Sequence, residues 1–177
     1  DQSLEGVKNV LGERRRRLGE EDPGLPMGLI QLALVQAANG FKEECAKSLK
    51  EAFEIINRIK IPDPIMAETF NVLSVLYQVL GSNKDAIIAA ERAIKHLDSS
   101  DEKIPLYYKR IGMINATSGD SKAALDAFQK SIDKARTYEG MEKFILGNYS
   151  AMANICESTE DMANALSYFN KMSDEAK

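Results

Sequence analysis

Residues 73–93 read LSVLYQVLGSNKDAIIAAERA, and three other stretches of the chain repeat the same pattern. An apolar residue and a small anchor come first, a turn residue follows seven positions after the anchor, and two packing positions seven residues apart complete the pattern. The four anchors are Ala33, Ser74, Gly112 and Ala153, which gives steps of 41, 38 and 41 residues. A period of this size predicts an array of stacked repeats.

Each repeat contains two amphipathic segments, one on either side of its turn residue. In the second repeat, Met66, Phe70, Leu73, Tyr77 and Leu80 recur every three or four residues, as they would on one face of a helix. The sequence therefore predicts nine helices and no strands. Their expected bounds are 2–18, 26–39, 42–59, 64–80, 83–97, 103–118, 121–137, 141–157 and 161–175.

These columns resemble the tetratricopeptide repeat (TPR). The spacing exceeds the usual period of about 34 residues and is similar to the extended repeats of kinesin light chains. Residues 18–23 (LGEEDP) resemble that family's Leu-Gly-x-x-His-Pro linker, with Asp22 in place of the histidine. Residues 70–77 (FNVLSVLY) resemble its Leu-Asn-Asn-Leu-Ala-x-Leu-Tyr helix, with Val72 in place of the second asparagine.

The resemblance implies an all-α fold, namely a right-handed superhelical α-solenoid of stacked antiparallel helix pairs. We expect a single domain over residues 1–177, with repeats at 25–59, 64–97, 103–137 and 141–175. The leading segment, 1–18, has helical apolar spacing and is expected to be the second helix of a preceding repeat. It would then cover the open end of the stack.

The resemblance also implies a binding surface, because in this family the first helix of each pair lines a concave groove. The candidate partner-binding residues flank the anchors: Ile30, Leu34, Asn71, Val72, Val75, Lys109, Arg110, Met113, Ser150 and Asn154. The first two repeats offer an apolar half, and the later repeats offer a polar half that also includes Asn148. Such a groove suits a peptide or an amphipathic helix of a partner protein. The expected function is therefore that of a protein-interaction adaptor or scaffold.

Several alternatives to this function remain open on the sequence. Ile30, Leu34 and Val75 could be covered by the chain itself. One subset of the family binds a C-terminal carboxylate, and only Asn71, Lys109 and Arg110 match the residue types that it uses for this. A regulatory sensor that binds a small peptide or metabolite is another reading, and so is a self-associating segment of a longer array that forms a homo-oligomer through its terminal repeats.

Composition excludes several classes of function. The net charge of −4 gives no overall attraction to nucleic acid, and no apolar run approaches the roughly 20 residues that cross a bilayer. Cys45 and Cys156 lack metal-ligand spacing with His96, so we expect inert buried thiols and no metal or cofactor. A reducing compartment fits best, either the cytoplasm or an organelle matrix if a targeting segment has been removed.

Catalysis finds no support in the residues. The chain has no Gly-rich phosphate loop and no nucleophile beside a plausible base, so we expect no enzyme. The run Arg14-Arg15-Arg16-Arg17 spreads around a full helical turn and is offset by neighbouring carboxylates. We expect a solvated helix face there rather than a site for phosphates.

Overall fold

The computed structural model describes residues 2–175, with side chains from Leu4 onward, so that both ends of the expected domain fall outside the described residues. This part of the chain forms nine α-helices and no strand. They are α1 (Gln2–Leu18), α2 (Leu25–Ala38), α3 (Lys42–Arg58), α4 (Asp63–Val79), α5 (Asn83–Lys95), α6 (Ile104–Thr117), α7 (Ser121–Ala135), α8 (Glu142–Ser158) and α9 (Met162–Glu175). Every helix begins and ends within two residues of its sequence-based prediction.

The helix starts follow from local chemistry. Pro26, Pro64 and Pro105 lie in the first turn of α2, α4 and α6, where the missing backbone N–H breaks no helical hydrogen bond. Asp120 caps α7, because its carboxylate accepts a hydrogen bond of 3.0 Å from the Ala123 N–H. The polar breaks between the apolar segments therefore set the helix bounds.

Each repeat turns between its two helices through a residue with left-handed backbone geometry. The turn residues are Gly40, Gly81, Gly119 and Glu160, with φ of 81°, 77°, 81° and 60°. In every turn, the N–H of the following residue donates to the carbonyl five positions earlier, with lengths of 2.8 to 3.0 Å. This pattern satisfies the last carbonyls of the first helix and reverses the chain. Glycine adopts the geometry without cost, whereas Glu160 is strained.

The small anchors mark where the two helices of a repeat come closest. Ala33, Ser74 and Ala153 have no exposed surface. At Gly112, an added Cβ would lie 3.0 Å from the Phe128 ring, which is closer than ordinary van der Waals contact. The ring of α7 therefore packs directly on the backbone of α6, and the anchor column is a packing requirement.

The chain divides into two compact units between Leu97 and Asp98, at the expected boundary between the second and third repeats. In the first unit, α2 pairs with α3 and α4 with α5, and α1 packs on α2. In the second unit, α6 pairs with α7 and α8 with α9. The all-α fold of consecutive helix pairs is confirmed, whereas the single domain and the origin of α1 in a preceding repeat stay predictions.

The core of the second unit joins its two helix pairs. Phe128 and Ile132 of α7 lie in one buried cluster with Ile145, Tyr149 and Met152 of α8. These side chains recur every three or four residues on each helix, so α7 and α8 meet along continuous apolar faces. This packing fixes the position of α8 beside α6, and the two helices hold the candidate site.

Candidate functional site

A cavity of about 400 Å³ lies in the second unit beside two of the predicted binding residues. Met113 of α6 and Asn154 of α8 both line it, and these are the equivalent positions in the third and fourth repeats. The remaining lining residues are Ala116, Thr117, Phe128, Ala151, Ile155 and Ser158. The structure thus brings together side chains that the sequence placed 41 residues apart. We call this surface the α6–α8 cavity.

The α6–α8 cavity has an apolar floor and a polar rim. Phe128 is 1% exposed and lies at the bottom, whereas the Met113 side chain is 53% exposed. On the rim, the hydroxyl groups of Thr117 and Ser158 donate to carbonyls of their own helices, at 2.9 and 2.8 Å. Each hydroxyl oxygen can still accept a hydrogen bond, and the exposed Asn154 amide offers both a donor and an acceptor.

Lys109 extends the same surface toward the N-terminus of α8. Its ammonium lies 4.9 Å from the centroid of the Phe144 ring, in a cation–π contact between α6 and α8. The ammonium also lies close to the α8 backbone, since a Cβ added at Gly147 would be 3.5 Å from Lys109 Nζ, an ordinary van der Waals distance. The contact holds a half-buried positive charge beside the apolar cavity.

The other predicted residues of the second unit are less accessible. Arg110 and Ser150 are half-buried, and Arg110 already interacts with other groups. Asn148 is fully buried, so its expected place on the polar half of the groove is wrong. Its Nδ2 donates to Ser131 Oγ at 2.9 Å, and that hydroxyl donates to the Pro105 carbonyl at 2.7 Å. Asn148 therefore links helices within the core.

In the first unit, the predicted residues lie on α2 and α4, which pack on each other. Leu34, Asn71, Val72 and Val75 are half-buried, and the polar group of Asn71 is already engaged. Ile30 has no exposed surface, so its assignment to an open groove is wrong and the alternative of internal packing holds for it. A single groove over all four repeats stays a prediction.

Sequence reasoning missed six of the cavity residues, and helical spacing could have identified four of them. Ala116 and Thr117 follow Met113 by three and four residues, and Ala151 and Ser158 flank Asn154 at the same intervals. Residues three and four apart share one face of a helix. Extending Met113 and Asn154 by one helical turn gives these four residues, whereas Phe128 of α7 and Ile155 are not reached by such spacing.

No family model matches the sequence, and no curated protein matches it significantly. Solved structures do match. BtubC (BKLC) from P. vanneervenii has a TM-score of 0.76 at 15% identity, and the match covers 98% of this chain and 73% of that one. Nearly identical TPR-like repeats of a putative kinesin light chain from Podosopora anserina have a TM-score of 0.74 at 16% identity, covering 99% and 86%. This chain has the fold of a TPR-like repeat protein. MamA also matches, with a TM-score of 0.63 at 19% identity over 98% and 86% of the two chains.

An ion pair holds the linker between α1 and α2. Asp22 occupies the position of the histidine in the kinesin-light-chain linker and is 7% exposed. Its carboxylate accepts from the Arg14 guanidinium, with Nη2 at 3.1 Å, and from the Gly24 N–H, also at 3.1 Å. The hydrogen bond from Arg14 lowers the pKa of Asp22 more than burial raises it. Asp22 and Arg14 together fix the entry into the first repeat.

This pairing corrects the interpretation of the arginine run in the TPR-like chain. Arg14 pairs with the buried Asp22, and Arg15 pairs with Glu51 of α3. Arg16 pairs with Glu13 on the surface of its own helix. Two of the four arginines therefore join α1 to other elements, and the expectation of a wholly solvated face is wrong for them.

The two cysteines are buried in the described structure, as predicted. Burial raises the pKa of both thiols, and the nearby Asp161 raises that of Cys156 further. A raised pKa depletes the reactive thiolate. Among the described residues, no three His, Cys, Asp or Glu side chains form a group that could hold a metal ion. None of the described helices is long and apolar enough to cross a membrane.

Proposed function

We propose that this TPR-like chain is a protein-interaction adaptor whose α6–α8 cavity binds an apolar side chain from a peptide or amphipathic helix of a partner protein. The observation that carries this proposal is the cavity itself, which joins the exposed Met113 and Asn154 over the floor formed by Phe128. Its volume of about 400 Å³ is in the range of specific ligand sites. No catalytic step is needed to account for these residues.

The chemistry of the surface defines the segment that fits. An apolar side chain of the ligand would be removed from water when it packs on Phe128. The flexible Met113 side chain would then cover this ligand side chain. The Asn154 amide would pair with polar groups of the ligand backbone. Lys109 would attract an acidic residue placed before or after the anchor. The proposed ligand is thus an apolar residue within an acidic context.

The first unit offers an apolar contact area of its own. Leu34, Val72 and Val75 are half-buried and apolar, and they share the α2–α4 face with Asn71. Such a face would hold apolar residues of a partner, and Ile30 would support it from within the core.

The proposal can be tested with a displayed library of proteome-derived peptides. Peptides selected on the wild-type chain are synthesised with a fluorophore, and their affinities are measured by anisotropy. Met113→Asp places a charge at the mouth of the cavity and should weaken binding about tenfold or more. Ile88→Asp is the matched control, because Ile88 of α5 is a similarly exposed apolar residue, 48% against 53%, outside both the cavity and the α2–α4 face.

A second variant separates the anchor from the charge. Lys109→Met should weaken peptides with acidic flanks and reduce the salt dependence of their binding, while neutral peptides keep their affinity. The proposal is wrong if selected peptides bind Met113→Asp as tightly as Ile88→Asp. Circular dichroism of each variant checks that the fold is unchanged.

A further inference from the structure

A second cavity, of about 250 Å³, lies in the first unit between α4 and α5. Phe70, Leu73 and Tyr77 of α4 line it at positions i, i+3 and i+7, and Phe53 of α3 adds a third aromatic ring. Phe70 and Leu73 are buried, whereas Phe53 and Tyr77 are half-buried. We call this surface the α4–α5 cavity. It shares no lining residue with the α6–α8 cavity and contains none of the predicted groove residues.

Helix α5 lines the α4–α5 cavity with a face that carries opposite charges at its two ends. The face consists of Asp85, Ile88, Ala89 and Arg92, at positions i, i+3, i+4 and i+7. Residues with this spacing share one face of a helix. Seven residues of helix span about 10 Å along the axis. An acid and a base therefore stand this far apart, on either side of the apolar Ile88.

Neither charge is neutralised by an ion pair with the described part of the chain. The Arg92 guanidinium lies 5.6 Å from the centroid of the Phe70 ring. This cation–π contact holds the guanidinium in place but supplies no acceptor for its N–H donors. Asp85 Oδ2 accepts from Ser82 Oγ at 2.5 Å, which leaves the other carboxylate oxygen for a ligand. Both side chains are exposed at the edge of the cavity.

The Tyr77 phenol lies near both charges. Burial raises the pKa of Tyr77 most, Asp85 raises it further, and Arg92 lowers it. A carboxylate and a guanidinium both act on one phenol in this way when both are close to it. The hydroxyl can donate to a carboxylate and accept from an ammonium. The acid, the base and the phenol thus offer partners for both charges of one small ligand.

We propose that the α4–α5 cavity binds a small zwitterion with an apolar side chain, either a free α-amino acid or a dipeptide. The ligand ammonium pairs with Asp85, its carboxylate pairs with Arg92, and its side chain packs against Phe53 and Ile88. Two hydrogen bonds of about 3 Å each leave roughly 4 Å of the spacing on α5 for the separation of the ligand's own charges. A ligand with only one charge leaves either Asp85 or Arg92 without a partner.

The size of the α4–α5 cavity also favours a ligand of this kind. Drug-sized ligands occupy pockets of roughly 300–1,000 Å³, so a cavity of about 250 Å³ holds a smaller molecule. Removal of the ligand side chain from water at the aromatic wall favours binding. The proposed site goes beyond the adaptor function, because it uses none of the residues that would bind a partner protein.

NMR titration of the isotope-labelled full chain tests the proposal with phenylalanine, leucine and the dipeptide leucyl-leucine. Amide signals of α4 and α5 should shift saturably, with a Kd of about 1 mM or tighter. N-acetyl-phenylalanine lacks the ammonium and phenylalaninamide lacks the carboxylate, so each should bind about tenfold more weakly or worse than phenylalanine. Tighter binding of the dipeptide than of both amino acids would identify dipeptides as the ligand, and the reverse order would identify amino acids.

Two substitutions test the charged partners. Asp85→Asn and Arg92→Met should each weaken zwitterion binding about tenfold or more. The matched controls Asp126→Asn and Arg16→Met remove exposed charges from surface ion pairs elsewhere and should leave it unchanged. Circular dichroism checks the fold of each variant.

Three results would overturn the proposal: no saturable shift with any probe at millimolar concentration, blocked analogues that bind as tightly as phenylalanine, or zwitterion binding that survives both substitutions. The adaptor function fails or holds separately. Met113→Asp should bind the zwitterion as the wild type does, whereas Ile88→Asp should lose the zwitterion and still bind the selected peptides.

Discussion

Replacing Asp22 with asparagine removes the charge of a buried carboxylate that joins α1 to the first repeat. Asp22 is 7% exposed, and it accepts from Arg14 and from the Gly24 N–H. The asparagine side-chain oxygen can still accept from the Gly24 N–H, but the charge-assisted hydrogen bonds from Arg14 are lost. Such bonds contribute roughly 1.5–3 kcal/mol. Because the Arg14 side chain is 39% exposed and partly screened, we expect a loss of about 2 kcal/mol for Asp22→Asn.

The converse change, Arg14→Met, leaves the carboxylate buried without its cation. The free energy of unfolding should fall by roughly 3 kcal/mol, because a buried charge without its partner destabilises the fold more than the loss of that charge does. The free energies come from urea unfolding followed by far-ultraviolet circular dichroism, fitted for the transition of the first unit. The double variant should be less destabilised than the sum of the single variants, with a coupling energy of about 1–2 kcal/mol.

The pH dependence of the folding stability tests the same ion pair independently. Arg14 lowers the pKa of Asp22 in the folded state below its unfolded value, which is about 3.9. The unfolded chain therefore binds more protons in this range, and stability falls as the pH is lowered. The stability difference between wild type and Asp22→Asn should be constant from about pH 5 to 8 and should shrink as the pH falls through the folded pKa.

Two outcomes would refute this reasoning. Additive effects of Arg14→Met and Asp22→Asn would show that the two side chains do not interact. If the stability difference between wild type and Asp22→Asn does not change below the unfolded pKa, the ionised form of Asp22 does not stabilise the fold. Arg16→Met is the matched control, because Arg16 pairs with Glu13 on the surface and its loss should have no measurable effect.

Three further changes test the packing and the turns. Gly112→Ala should destabilise the second unit by about 1–3 kcal/mol in urea unfolding, because its Cβ would press on the Phe128 ring of α7. The control Gly6→Ala adds a Cβ that meets nothing within 4 Å and should stabilise α1 by roughly 0.5–1 kcal/mol. Equal effects of the two substitutions would contradict the close approach of α6 and α7 at Gly112. Glu160→Gly should raise the melting temperature of the second unit, since it relieves a left-handed backbone at φ 60°; a lower value would mean that the turn is not strained. Cys45 and Cys156 should react with a thiol reagent slowly in the native chain and rapidly in urea, and fast native labelling would contradict their burial.

The sequence predicts most of the fold, because local patterns specify it. The turn glycines, the first-turn prolines and the apolar periodicity lie within single helices or between adjacent ones. They place both ends of each of the nine described helices to within two positions. The repeat period alone predicts the turn at Glu160, although its residue type does not favour the left-handed geometry that it adopts.

The candidate site is predicted less well, because burial depends on partners that are distant in the sequence. Asn148 appears polar and available, yet its partner Ser131 lies 17 residues earlier. Ile30 occupies a groove position of the repeat but is fully buried in the first unit. The repeat pattern identifies the helix that carries a residue, whereas three-dimensional packing decides whether that residue faces a ligand.

The central claim is that the α6–α8 cavity binds the partner. Methyl-labelled methionine gives one NMR signal for each methionine, and the signals are assigned by substitution. On addition of a peptide selected on the wild-type chain, the Met113 methyl, which lies at the mouth of the cavity, should shift most. The signal of the Met162 methyl, which is exposed on α9 and outside the cavity, should not shift. A Met113 signal that does not move at saturating peptide would contradict the account.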